Sequence, residues 1–169
     1  MSEDAMGGGL PYRMNVGLVL MNRAGEIFIG KRIGYAAPEE GWQLPQGGID
    51  DGEDVTQALW REMEEEIGTR KAEMVARYPQ ALGYDFPAQV QSTVYGGRFR
   101  GQMQHWFLLR FLGEERDINI HTPPGAAPEF AAYAWKTADD VARLAVPFKR
   151  KIYETVLTHF SAAIARARG

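Results

Sequence analysis

Gly47-Gly-Ile-Asp-Asp-Gly-Glu53-Asp-Val-Thr-Gln-Ala-Leu-Trp-Arg61-Glu62-Met63-Glu-Glu65-Glu66-Ile-Gly68-Thr69 is the stretch on which the fold turns. It predicts a helix over residues 53–67, opened by Asp51-Gly52, with acids in the first turn where the helix dipole favours them. Gly68 closes it, because glycine tolerates the left-handed conformation of a C-cap. On a wheel of about 100° per residue centred on Glu62, an apolar arc collects Val55, Ala58, Leu59 and Met63. Glu65 and Glu66 fall on the same arc, while Glu64 lies opposite and faces water. Carboxylates sharing a core-facing arc at one-turn spacing repel and resist desolvation unless cations compensate. Spacings of i, i+3 and i+4 let three hard oxygen donors converge on magnesium or manganese. The plainer alternative is surface pairing of Glu62 and its neighbours with Arg61, Arg70 or Lys71. Coincidence with the apolar arc favours metal.

Composition narrows the chemistry from the other side. The 169 residues include no cysteine, so disulfides, thiolate zinc sites and cysteine nucleophiles are excluded. The serines are Ser2, Ser92 and Ser161, none in a Gly-x-Ser-x-Gly elbow, which argues against an α/β-hydrolase triad. His105, His121 and His159 are too far apart for an H-E-x-x-H zinc site. Carboxylates are plentiful, at 22 Asp plus Glu, so an enzyme built on this chain would work through them. Residues 50–66 carry eight acids and one base, a charge of −7 within a net charge of −3, which leaves +4 elsewhere. A concentrated acidic site in a mildly basic frame suits a metal-assisted enzyme acting on a polyanion. On charge alone, a solvated acidic helix face beside a basic tail is the simpler account.

One domain is expected at this length. The best apolar run, residues 16–21, has six residues against the roughly 18 of a membrane span. The glycine-rich start lacks the features of a signal peptide, so residues 1–11 are expected to form a flexible tail and the chain to be cytoplasmic. Residues 16–21 and 26–29, around Asn22-Arg23-Ala24-Gly25, predict a β-hairpin. A loop is expected over 34–51. Residues 72–78 fit strand or helix, 84–100 read as irregular with a strand near 90–95, and 105–111 and 130–135 predict strands. Thr137 should cap a short helix to Leu144. After Pro147, Ile152, Val156, Phe160 and Ile164 mark an amphipathic helix whose end, residues 162–169, is basic. No feature asks for an obligate protein partner. The expected class is α/β.

The quoted stretch resembles the Nudix hydrolase signature G-x5-E-x7-R-E-U-x-E-E-x-G-U, with Thr69 the single departure, at the last aliphatic position. Further segments resemble the branch containing bacterial RNA pyrophosphohydrolases and dinucleoside polyphosphate hydrolases. They are Tyr12-Arg13-Met14-Asn15-Val16-Gly17, Trp42-Gln43-Leu44-Pro45-Gln46-Gly47-Gly48, Gln104-His105-Trp106-Phe107-Leu108-Leu109, Pro128-Glu129-Phe130 and Phe148-Lys149-Arg150. The resemblance implies a Nudix-type α/β/α sandwich over residues 12–161, a mixed sheet between helices with the signature as loop-helix-loop. It also implies hydrolysis of a diphosphate linkage by water activated on Mg2+ or Mn2+. By the same resemblance Glu62, Glu65, Glu66 and the Gly47 carbonyl would bind metal, joined by Glu129. Arg61 and Glu53 would pair to brace the helix. The general base would be Glu65 or Glu129.

The same resemblance implies phosphate grip by Arg13, Lys31 and Arg32, whose alternative is plain solvated hairpin charge, and by Lys149 and Arg150. Tyr84 and Phe148 are candidates to stack a base, with core packing the competing role for Phe148. Met14 replaces a common proline and His105 a common lysine of the branch, which removes a phosphate-binding cation at 105. Gly25-Glu-Ile-Phe-Ile-Gly30-Lys31-Arg32 nearly spells a phosphate loop, but Arg32 takes the place of the required hydroxyl and the context is turn-to-strand. The leading expected substrate is a 5′-triphosphate RNA end, the alternative a dinucleoside polyphosphate such as diadenosine tetraphosphate. From another class, an idle nucleotide- or metal-binding module would not need the complete glutamate trio.

Overall fold

Branched aliphatics along residues 16–21 seed a strand that extends to Tyr12, giving β1 (Tyr12–Met21). The computed structural model describes residues 9–168; most of the tail expected at the N-terminus, residues 1–8, lies outside them. β1 runs parallel to β7 (Gly101–Phe111), in register from Tyr12 beside Gly101 to Met21 beside Arg110. Antiparallel neighbours complete the sheet: β2 (Ile27–Arg32), β3 (Trp42–Gln43), β4 (Gln46–Gly48), β5 (Ala72–Arg77), β6 (Leu82–Asp85) and β8 (Phe130–Lys136). The spatial order is β3-β2-β1-β7-β5, with β4 on β1, β6 on β7 and β8 on β2.

The period of two along each strand divides the core between two faces. Val19, Met21, Ile29, Trp106 and Leu108 face the helices α3 (Ala138–Leu144) and α4 (Pro147–Ala167), meeting Val141, Ile152, Val156 and Phe160. Val16, Leu18, Leu20, Phe107 and Leu109 face α1 (Val55–Ile67), meeting Ala58, Leu59, Met63 and Ile67. Burying each of the larger α1 side chains contributes roughly 1.5–3 kcal/mol. The result is the expected helix–sheet–helix sandwich. Among the described residues, no helix is long and apolar enough to cross a membrane.

Several local expectations shift. The 34–51 loop contains β3 and β4, which borrow their hydrogen bonds from β2 and β1. The helix begins at Val55, two residues later than predicted, because Asp54 is its cap. The Asp54 carboxylate accepts from the Gln57 amide at 2.8 Å and the Gln57 side chain accepts from the Asp54 amide at 3.0 Å. Glu53 is thereby left outside the helix. Of residues 72–78, all but Tyr78 resolve as strand. Residues 90–95 form none: α2 (Ala88–Gln91) is followed by a 3-10 turn, Val94–Gly97. Thr137 caps α3 as expected, accepting from the Asp140 amide at 3.2 Å.

Candidate active site

Two contiguous pieces of chain meet at the centre. β4 pairs Asn15 with Gly48, Val16 with Gly47 and Gly17 with Gln46, pinning the glycine pair to the sheet. From the other side the Leu44 amide donates to the Tyr153 hydroxyl of α4 at 3.0 Å, a buried anchor that fixes the approach to β4. α1 then passes beneath Gly47 so closely that a Cβ there would lie 2.0 Å from the Glu62 carboxyl carbon. Only glycine permits that approach.

Glu62 and Glu66 are buried, at 8% and 5% exposure, while Glu64 pairs with Arg70 at 2.6 Å on the outer face. Burial raises the Glu62 carboxyl to about 7, with Glu65 and Glu129 adding to the rise and Arg61 opposing it. Burial, with the charges of Glu62 and Glu129, raises Glu66 well above the carboxylate range; its Oε2 accepts from the Gln46 amide at 3.3 Å. Two buried carboxyls that resist ionisation side by side form a site that gains from a cation.

Arg61 holds the centre. Its guanidinium is bidentate on Glu53, at 2.7 and 2.8 Å, and donates to Glu62 at 2.8 Å, Glu65 at 3.1 Å and the Gly48 carbonyl at 2.8 Å. The Arg61–Glu53 brace read from the sequence is therefore formed. Arg61 keeps its charge and holds Glu53 below the ordinary carboxylate range. Because Glu62 and Glu65 turn to this guanidinium, no three acidic or histidine side chains converge as a finished cage among the described residues. The spacing argument places Glu62 and Glu66 correctly on the core face, and Glu65 at its margin beside Arg61.

A cavity of about 240 Å³ adjoins the carboxylates, lined in part by Arg32, Gln43, Tyr84, Glu129, Phe148 and Lys149. Glu129 thus comes to the cluster from the loop before β8, close enough to raise both Glu62 and Glu66. The Tyr84 and Phe148 rings pack against each other on the cavity wall, with centroids 5.7 Å apart and planes tilted by 41°. Tyr84 is mostly buried and its hydroxyl accepts from Gln102 at 2.6 Å. Phe148 both lines the cavity and packs on the core. Burial and the Arg32 charge lower the Lys149 ammonium to about 8, against the pull of Glu66 and Glu129.

Arg13 lies over the Tyr95 ring at 4.3 Å and against Gly48, where a Cβ would stand 2.1 Å from its guanidinium. Two predicted contacts are directed elsewhere. Arg150 donates to the carbonyls of Ala142 at 3.2 Å, Arg143 at 3.3 Å and Ala145 at 3.1 Å, satisfying the end of α3 instead of facing the cavity. Lys31 donates to the carbonyls of Ala37 and Glu40, holding the 34–40 loop. Burial and Arg77 push His105 below its ordinary value.

Sequence reading missed the polar layer beneath the cluster. Asn15 donates to Gln46 and Gln102, both at 2.8 Å, and Gln104 donates to Asn15 at 2.9 Å. Asn15, Gln102 and Gln104 are fully buried. The available signal was three amides at positions of β1 and β7 that the strand period points toward α1 or the cavity.

A family model described as NUDIX domain matches residues 11–156. The chain is 48% identical over 153 residues to an RNA pyrophosphohydrolase of Rhodospirillum rubrum, covering 90% of this chain and 89% of the relative. It is 45% identical over 155 residues to an RNA pyrophosphohydrolase of Rhodopseudomonas palustris, covering 90% and 93%. Among solved structures, the E. coli dihydroneopterin triphosphate pyrophosphohydrolase superposes with a TM-score of 0.66 at 20% identity, covering 88% of this chain and 99% of that one, a likeness of fold. The signature helix, the arginine paired with Glu53 and the family match over residues 11–156 converge: the chain belongs to the NUDIX domain family.

Proposed function

We propose that this protein hydrolyses a diphosphate linkage at a 5′-triphosphate RNA end, leaving a 5′-monophosphate, with Mg2+ or Mn2+ as cofactor. The observation that carries the reading is the pair of buried, charge-resisting carboxyls Glu62 and Glu66 beneath Gly47, beside a cavity lined by aromatic rings and cations. The RNA pyrophosphohydrolase relatives support the choice of substrate. Nudix enzymes generally use divalent metal ions, and the donor set here, carboxylates and a carbonyl, is of the hard-oxygen kind that suits them.

Glu62, Glu65, Glu66, Glu129 and the Gly47 carbonyl would hold the cation. When bound, it supplies neutralisation of the polyphosphate charge and acidification of water. Arg61, tied to Glu53 and Gly48, keeps the carboxylates aimed at one place. Glu65, the most exposed of the α1 trio, takes the proton from the attacking water, with Glu129 the other carboxylate in reach of the cluster. Arg13, Arg32 and Lys149 grip phosphate oxygens, which charge-assisted bonds strengthen, and Tyr84 with Phe148 flanks a base. We assign residues 12–161 to the catalytic unit, followed by the stretch 162–169, which is basic in sequence.

The test is turnover of a 5′-triphosphorylated oligoribonucleotide with Mg2+, with Mn2+ and with chelator. Metal-dependent conversion to the 5′-monophosphate is expected. Nucleotide or metal binding without turnover would favour an idle module and overturn the proposal.

A further inference from the structure

Residues 86–113 contain no Asp or Glu, yet carry Arg98, Arg100 and Arg110 among aromatic residues. The middle of this stretch, the 3-10 turn Val94–Gly97 and the residues after it, curls over the rim of the cavity. Tyr95 sits there with φ at 51°, a left-handed conformation that disfavours side chains, followed by Gly96 and Gly97 at 66° and 73°. The strain is held by contacts rather than by burial. Arg13 lies over the Tyr95 ring at 4.3 Å and donates to its hydroxyl at 3.3 Å; Phe86 and Phe99 each stand 6.2 Å away. Arg98 donates to the Tyr95 carbonyl at 3.1 Å and lies over Phe99 at 5.6 Å. Below them Asp85 accepts from Tyr12 at 2.7 Å and from Arg100 at 3.1 Å, fixing the base of the loop to β1 and β6. The Tyr95 ring remains 37% exposed, and Arg98 is exposed.

We propose that Tyr95 and Arg98 form the start of a track for the single strand of RNA that continues 3′ of the nucleotides in the cavity. The track rests on the RNA reading of the site. Its chemistry is that of sequence-tolerant single-strand binding: an aromatic face for the next base, and a guanidinium beyond it for the next phosphate. Arg13 joins track to centre, since the same side chain touches Tyr95 and packs on Gly48. A ligand short enough to end inside the cavity gains nothing from Arg98, which stands outside the cavity lining, whereas Tyr95 is at its rim. A protein partner would need an apolar centre, whereas this surface interleaves cations with rings, and its one acid, Asp85, is tied to Tyr12 and Arg100.

The experiment compares kcat/KM on 5′-triphosphorylated oligoribonucleotides of two and eight residues, for the wild type, Arg98→Ala, Arg98→Glu, Tyr95→Phe and Tyr95→Asn. Asn is chosen because it tolerates the left-handed conformation, so loss of the ring is separated from loss of the turn. The wild type should favour the octamer. Arg98→Glu and Tyr95→Asn should lose roughly fivefold to tenfold on the octamer, with Arg98→Ala intermediate and Tyr95→Phe near wild type. Arg98→Ala should stay within twofold on the dinucleotide and lower the salt dependence of octamer KM by about 0.7 in log–log slope, one phosphate contact. No octamer preference in the wild type, or a preference that survives Arg98→Glu and Tyr95→Asn, overturns the track while leaving the RNA reading intact. Absence of turnover on both lengths overturns the RNA reading, and the track with it.

Discussion

At the scale of single residues, the chemistry depends on carboxyls kept where they are least comfortable. Glu62 is buried and raised to about 7 from an ordinary 4.5, so the folded state holds a proton there that the unfolded chain releases. Its contribution is therefore full at low pH and is lost as pH rises through about 7. Glu62→Gln removes the titration and keeps a side-chain oxygen for Arg61. In chelator, the melting temperature of Glu62→Gln minus that of the wild type should rise by several degrees between about pH 5 and pH 8. A difference that stays flat across that range would contradict the burial argument. Glu65→Gln belongs to the same scale: kcat should fall at least about a hundredfold with Mg2+. Retention of activity within a few-fold would remove Glu65 from its proposed role.

The element that matters most is α1, because its two ends are built independently of the chemistry they aim. Asp54 closes a capping box at one end, and Gly68 at φ 88° ends the other, where a Cβ would stand 2.4 Å from the Asn119 carbonyl oxygen. Asp54→Ala should cost about 1 kcal/mol of stability, read from the denaturation midpoint, with little change in kcat. Gly68→Ala should cost more, through both strain and overlap. Gly47→Ala acts differently. It should leave the denaturation midpoint nearly in place while sharply reducing metal-dependent turnover, because the added methyl group displaces Glu62.

Much of this element was legible in the sequence: the helix, its glycine stop, and the coincidence of Glu62 and Glu66 with the apolar arc. Its true start was not: Asp51-Gly52 signals an earlier opening, whereas Asp54 and its reciprocal bonds with Gln57 set the cap. The roles of Arg150 and Lys31 were equally hidden. A cation near a phosphate site reads the same in sequence whether it faces the ligand or satisfies nearby carbonyls.

Across the whole molecule, the sheet brings together segments far apart in the chain. β1 and β7 lie parallel at the centre, β4 is clamped to β1, and Glu129 arrives from the segment before β8. The α/β class followed from the mixture of strand and helix signals, and the sandwich architecture from the family resemblance. The short strands β3 and β4 did not, because two- and three-residue strands owe their form to partners rather than to propensity. The amide layer of Asn15, Gln46, Gln102 and Gln104 left only the strand period as a signal, because its members span three strands and meet only in the folded chain.

That assembly places one cluster of carboxylates against one aromatic, cationic cavity, and its substrate decides the account. The most direct measurement is kcat/KM on a 5′-triphosphorylated oligoribonucleotide and on diadenosine tetraphosphate, side by side, with Mg2+ and with chelator. The structure-based account predicts metal-dependent turnover of both, with the RNA end favoured by about tenfold or more, the margin expected from one or two added stacking and phosphate contacts. Preference for diadenosine tetraphosphate, or turnover that survives the chelator, would contradict it.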